Sequence, residues 1–134
     1  MLAVALVLNL LQEDVDKALQ GAWIGERFTE GNGKDGARGE KVEFLFKNGV
    51  LAGRKGNGSL IGEAGYALGE GGKALDATGA SGGYRGKVYT GLFKLEGDTL
   101  LWCVNGTAGK DRARPTSFVA DPGKAHYLIV LKRK

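Results

Sequence analysis

The fold class this sequence predicts is all-β: a small antiparallel up-and-down β-barrel of about seven or eight strands, preceded by a short N-terminal helix. Three observations lead there. Apolar residues alternate with a period of two in three well-separated stretches, the spacing of half-buried strands. Two-residue turn signals stand between the alternating runs. The 134 residues include 24 glycines, more than twice the usual share of about 7%, without a triplet period. Such glycine supplies the positive φ values that tight turns, bulges and barrel corners need.

Taken in chain order, residues 1–11, "MLAVALVLNLL", form an apolar run. It is too short to span a bilayer, which takes about 20 residues, but has the length of a signal-peptide core. No Lys or Arg precedes it, and its small-x-small triplet, Ala3 to Ala5, lies inside the run. Export is the expectation for this segment, 1–12, ahead of a single domain at 13–134. The alternatives are an N-terminal helix packed on the domain and a cytoplasmic protein. Leu11, Val15, Ala18 and Leu19 then share one helical face, with Glu13, Asp14 and Asp16 early and Lys17 late, as the helix dipole favours. Gly21 is the stop. The first strand is expected over Trp23 to Phe28. In "KVEFLFKNGVLAG", Val42, Phe44 and Phe46 share one face, and Asn48-Gly49 signals a hairpin with the next strand starting at Val50. Between 53 and 83 the pattern weakens to two short candidates, "YAL" and "KALDA", amid glycine. In "GKVYTGLFKLEGDTLLWCV", Tyr89, Gly91, Phe93 and Leu95 alternate, Gly97-Asp98 turns the chain, and Leu100, Trp102 and Val104 alternate again. The last strand, "AHYLIVLKRK", is apolar on both faces, so both should be covered. The polar stretches 29–41 and 105–117 read as loops at the barrel ends.

The net charge of +4 comes from the C-terminal part: residues 1–60 hold eight basic and eight acidic side chains, 61–134 eleven and seven. The densest basic stretch, Lys110, Arg112 and Arg114, is a candidate contact for an anion or an anionic partner. Without a stripe of Arg and aromatic residues at strand spacing, a nucleic-acid partner is not expected. A lone Cys103 and a lone His126 make neither an internal disulfide nor a zinc ligand set, so no metal or cofactor is expected. Cys103 alternates with apolar neighbours and reads as a buried small hydrophobe.

"ALQGAW", "YRGKVYTGLFKLEGDTLLWCV", "RPTSF" and "YLIVLKRK" together resemble the planctomycete-type lipocalin-like domain of unknown function. The likeness runs over about residues 15–134, most specifically at Gly97 to Leu100, Cys103, Arg114-Pro115, Leu128 and Val130 to Arg133. It implies a calycin-style barrel, frequent export and no assigned activity. The wider lipocalin pattern implies that Gly21 and Trp23, on the first strand, meet a basic side chain at the end of the last, Arg133 or its competitor Lys132. An indole under a guanidinium gains about 0.5 to 2 kcal/mol. The alternative is a core Trp23 with a frayed Arg133.

Catalytic patterns fail on context. Gly79-Ala-Ser81-Gly-Gly83 fits G-x-S-x-G, with Asp98, Asp111 or Asp121 and then His126 behind it, but a nucleophile elbow needs a strand before and a helix after. Gly31 to Gly36 fits G-x-G-x-x-G yet leads into a strand instead of a phosphate-binding helix. A solitary His126 at a strand start reads as a rim residue. Asn57-Gly-Ser59 and Asn105-Gly-Thr107 are formal glycosylation signals that matter only in a eukaryotic secreted chain.

The functional expectation is therefore a non-catalytic, monomeric, exported barrel that holds a small apolar ligand, lined by Phe44, Phe46, Phe93 and Trp102. Against this stands a core that these aromatics fill completely. Further alternatives are a partner-binding or inhibitor module using the basic loop 110–114, and a serine hydrolase using Ser81 and His126.

Overall fold

A computed structural model describes residues 14–33, 39–69 and 72–134. The segment 1–12, the start of the predicted helix and the second half of the G-x-G-x-x-G stretch, 34–36, lie outside the described residues. Nine antiparallel strands form among the described residues, a little above the expected number: β1 Gly21–Phe28, β2 Glu40–Lys47, β3 Val50–Lys55, β4 Leu60–Leu68, β5 Leu75–Gly79, β6 Val88–Tyr89, β7 Gly91–Glu96, β8 Thr99–Asn105 and β9 His126–Arg133. Residues 14–19 are helical, and Gly21 ends that helix at φ +114°, a backbone that L side chains rarely adopt.

The sheet runs β6-β5-β4-β3-β2-β1-β9-β8-β7, so the first and last strands pair and the two edge strands are neighbours in sequence. The edges almost meet. β6 pairs β5 through Ala77↔Tyr89 and Thr78↔Val88, and an isolated bridge, Ala74↔Leu92, continues the same register into β7. β6 and β7 thus behave as one strand broken at Thr90, which leaves eight staves around a nearly closed barrel. That number leaves an interior just wide enough for side chains.

Turn chemistry sets the register of both long hairpins. Asn48 and Gly49 both have positive φ, +49° and +83°, as a type I′ turn demands, and Lys47 faces Val50. Gly97, at φ +56°, takes the first central position of the turn that sets Glu96 opposite Thr99. The glycine-rich middle departs most from expectation. β4 spans nine residues and includes Gly62 and Gly65, where sequence showed only a short candidate, and the β3–β4 register shifts at Gly53/Arg54.

The inward faces make one core: Leu19, Trp23, Val42, Phe44, Phe46, Leu51, Leu75, Phe93, Leu100, Trp102, Ile129 and Leu131 are buried together. A second, smaller core lies outside the barrel wall, where Phe28, Cys103, Ala120 and Leu128 are buried with Phe118 and Val130 against them. Residues 118–120 of the long β8–β9 connection lie over β9 there, and Gly31 and Ala120 exchange backbone hydrogen bonds of 3.0 and 2.7 Å. This explains the apolar residues on both faces of β9.

Candidate functional site

The end of the barrel nearest the helix is sealed. Trp23 pairs directly with Arg133 across β1 and β9, and the Arg133 guanidinium carbon sits 4.3 Å from the indole centroid. The same guanidinium donates to the carbonyls of Ala18 (2.7 Å) and Gln20 (3.3 Å) at the helix end and pairs with Asp98 at 3.2 Å. Lys132 is paired with Ile24 and Thr99 instead, on the outer face, because neighbouring residues of a strand point to opposite sides. The indole N–H of Trp23 donates to Leu19 at 2.9 Å, which leaves no orphaned donor in the seal.

Phe44, Phe46, Phe93 and Trp102 are all buried in the main core. Phe44 meets Trp102 edge to face, with ring centroids 6.1 Å apart, and Phe46 meets Tyr66 likewise at 5.3 Å. Of the four, Phe44 also borders a cleft of about 130 Å³, lined by Leu51, Gly53, Ile61, Gly62, Ala64, Gly79, Tyr84 and Tyr89 together with Glu63. Three glycines open it. A Cβ at Gly53 would stand 2.9 Å from the Phe44 ring, one at Gly62 3.4 Å from the Tyr84 ring, and one at Gly79 would strike the Tyr84 backbone. Tyr84 is exposed on the 3-10 turn Gly82–Tyr84 and packs edgewise on Tyr89 at 6.4 Å. Burial, followed by the nearby Tyr84, raises the Tyr89 hydroxyl above its ordinary pKa.

The basic stretch divides. Arg114 is not a free contact: its guanidinium pairs with both Asp76 oxygens and donates to the Gly91 carbonyl at 2.7 Å, and the Asp76 hydrogen bonds raise its already high pKa. It props the break between β6 and β7, so of the three candidate anion or partner contacts Arg114 already has a carboxylate partner. Lys110 and Arg112 are exposed. Arg112 lines a second, polar pocket of about 380 Å³ with Asn105, Thr107, Ala113, Arg114, Thr116, Lys124 and His126. Asn105 and His126 are cross-strand partners. Lys124 comes from the turn Pro122–Lys124, whose preceding Asp121 caps it by accepting from the Gly123 amide at 2.9 Å.

Ser81 precedes the three-residue turn Gly82–Tyr84 and no longer helix follows it, so the nucleophile-elbow geometry is missing. Ser81 lines neither the cleft nor the pocket that holds His126. Among the described residues no cluster of three or more His, Cys, Asp or Glu could hold a metal ion, and no helix is long and apolar enough to cross a membrane. Cys103 is fully buried. Burial raises its thiol pKa, and its S–H donates to the Val119 carbonyl at 3.5 Å.

Sequence reasoning missed Tyr84 and the three glycines of the cleft, and Lys124, Thr107 and Thr116 of the polar pocket. The glycines read as turns, and Lys124 as one more solvated cation. The chain matches no family model, and comparison with curated proteins and with solved structures finds no significant match.

Proposed function

We propose that this chain is a non-catalytic binding barrel that takes a small apolar ligand of about the size of one ring in the cleft beside Phe44. The cleft itself carries the reading. Its lining is apolar apart from Glu63 and two tyrosine hydroxyls, the make-up of a small-molecule site with a few polar groups at the mouth. Its size sets the ligand. An engineered apolar cavity of about 150 Å³ admits benzene, whereas drug-sized ligands occupy pockets of about 300 Å³ and more. The buried aromatics behind the cleft rule a long acyl chain out of the space they occupy. Export and a monomeric state belong to the same reading, supported by the apolar run at 1–11 and by the lipocalin-like resemblance.

The test is titration of the isotope-labelled chain with benzene and with p-cresol, followed by NMR. Saturable shifts are expected at Gly53, Ala64 and Gly79. Ala64→Leu, which fills the cleft, should abolish them while the rest of the spectrum keeps its dispersion. Shifts that are absent, or that persist in Ala64→Leu, would overturn the proposal.

A further inference from the structure

We propose that the polar pocket between the β8–β9 connection and the barrel wall is a binding site for a small oxyanion, a phosphate or a carboxylate. It is independent of the apolar cleft, with which it shares no lining residue. None of the residues lining its about 380 Å³ is acidic, and they include Arg112, Arg114, Lys124 and His126. Arg114 is neutralised by Asp76. Neither Arg112 nor Lys124 pairs with a carboxylate among the described residues. The pocket therefore holds about two unbalanced positive charges facing one concave site, which favours an anion there. The nearest acids in sequence are occupied or outside: Asp121 caps Gly123, and Asp111 does not line the pocket.

The connection is held in place before any ligand arrives. The Asn105 side chain donates to the Ala113 carbonyl at 3.0 Å and accepts from the Thr107 amide at 2.9 Å. The Gly109 amide donates to Val88 at 2.7 Å. A Cβ on Gly109 would stand 2.9 Å from the Arg112 side chain, so glycine there lets Arg112 lie close over the loop backbone. Asn105 is thus spent on shaping the loop, and the donors left for an anion are the Arg112 fork, the Lys124 ammonium and the hydroxyls of Thr107 and Thr116. A planar guanidinium matches two oxygens of one oxyanion, and an ammonium adds a point charge. Arg114-Pro115 sets one wall, since Pro115 is fully buried and Arg114 is tied to Asp76 and Gly91.

The experiment is calorimetric titration of the intact chain with inorganic phosphate and, separately, with acetate, at matched ionic strength. One-to-one saturable binding is expected, with Kd on the order of 1 mM or tighter. Added salt should weaken it. If phosphate binds more tightly than acetate, the ligand class is a phosphate; the reverse order assigns a carboxylate, and either supports the site. Arg112→Ala with Lys124→Ala should weaken binding about tenfold or more, because hydrogen bonds to charged groups are the strong ones. Lys55→Ala, exposed on β3 and outside the pocket, should leave it unchanged. Both removed side chains belong to exposed residues, and near-ultraviolet circular dichroism checks that the double variant is folded; Lys124→Glu is the second variant should it not be. Saturable binding by neither anion, or affinity unchanged in a folded double variant or in Lys124→Glu, would overturn the proposal.

Discussion

Arg133 shows how much of the closed end one side chain holds. It covers the Trp23 indole, takes two carbonyls at the helix end and reaches Asp98 in the β7–β8 turn. A cation near the last carbonyls of a helix is favoured by the helix dipole, and the indole adds cation–π attraction. Arg133→Ala should therefore destabilise the fold by about 1 to 3 kcal/mol, the sum of a cation–π contact and one or two net hydrogen bonds. Arg133→Lys should recover only part of this, because an ammonium cannot lie flat on the ring and fork to two carbonyls at once. Urea unfolding followed by tryptophan fluorescence measures both; an Arg133→Ala midpoint equal to that of the unaltered protein would reduce the contact to an idle surface pairing. Lys132→Ala is the control, since that side chain belongs to the outer face.

At the scale of the element, the break at Thr90 is the least ordinary part of the barrel. Where the β5 ladder should continue into β7, side chains take over the backbone groups: the Trp102 indole donates to the Leu75 carbonyl at 3.0 Å, the Gly91 amide donates to Asp76 at 3.1 Å, and Arg114 takes the Gly91 carbonyl. Gly91 is required at this place, because a Cβ would come within 2.3 Å of the Trp102 indole nitrogen. Asp76→Ala removes the acceptor of the Gly91 amide and leaves Arg114 half-buried without its partner. A loss of about 1 to 3 kcal/mol is expected, below that of a fully buried pair since water reaches both side chains. Arg114→Ala combined with it should cost less than the two changes added. Native-state hydrogen exchange should speed up at Val88 and Tyr89 in Asp76→Ala while Phe44 and Phe46 stay protected; equal acceleration everywhere would mean that the seam is no separate unit. This seam was hidden in the sequence because its partners lie 15 to 38 residues apart, whereas the hairpins at Asn48-Gly49 and Gly97-Asp98 were legible from four consecutive letters. β4 was obscured for another reason. Gly62 and Gly65 lower strand propensity, and Gly62 lies beside the Tyr84 ring, 3.4 Å from where a Cβ would stand. Lys124 lies outside the run 110–114, so the polar pocket could not be read from that run alone, and Arg114 could not be told from its neighbours before Asp76 was placed beside it.

For the whole molecule, burial at three separate places makes stability depend on protonation in one direction. At the helical end the Tyr66 hydroxyl donates to Asp16 at 2.6 Å and receives from Gln20 at 2.8 Å, while Gln20 accepts from the Asn48 amide at 2.8 Å; the helix is thereby tied to β4 and to the β2–β3 turn. Burial and then the Asp16 hydrogen bond raise Tyr66 above its ordinary 10.0. Burial raises Tyr89 above the same value and Cys103 above 9.0. All three groups are neutral when protonated, so raised folded-state values mean that the native chain holds these protons more firmly than the unfolded one. Stability is then complete below the unfolded values and falls as pH rises through the folded ones. The urea midpoint should stay level from neutral pH to about 9 as far as these groups are concerned, then decline, Cys103 contributing first and the tyrosines later. Cys103→Ala should remove the earliest part of the decline, and Tyr66→Phe a later part, at the cost of the tie to Asp16 at every pH. The same burial makes Cys103 slow to react with thiol reagents at pH 8, with modification gated by opening of the second core under residues 118–120. Should the midpoint hold level to pH 11, or should Cys103 react at the rate of an unfolded thiol, the second core would not cover the outer face of β8 and β9, and the double-sided packing of the last strand would need another explanation.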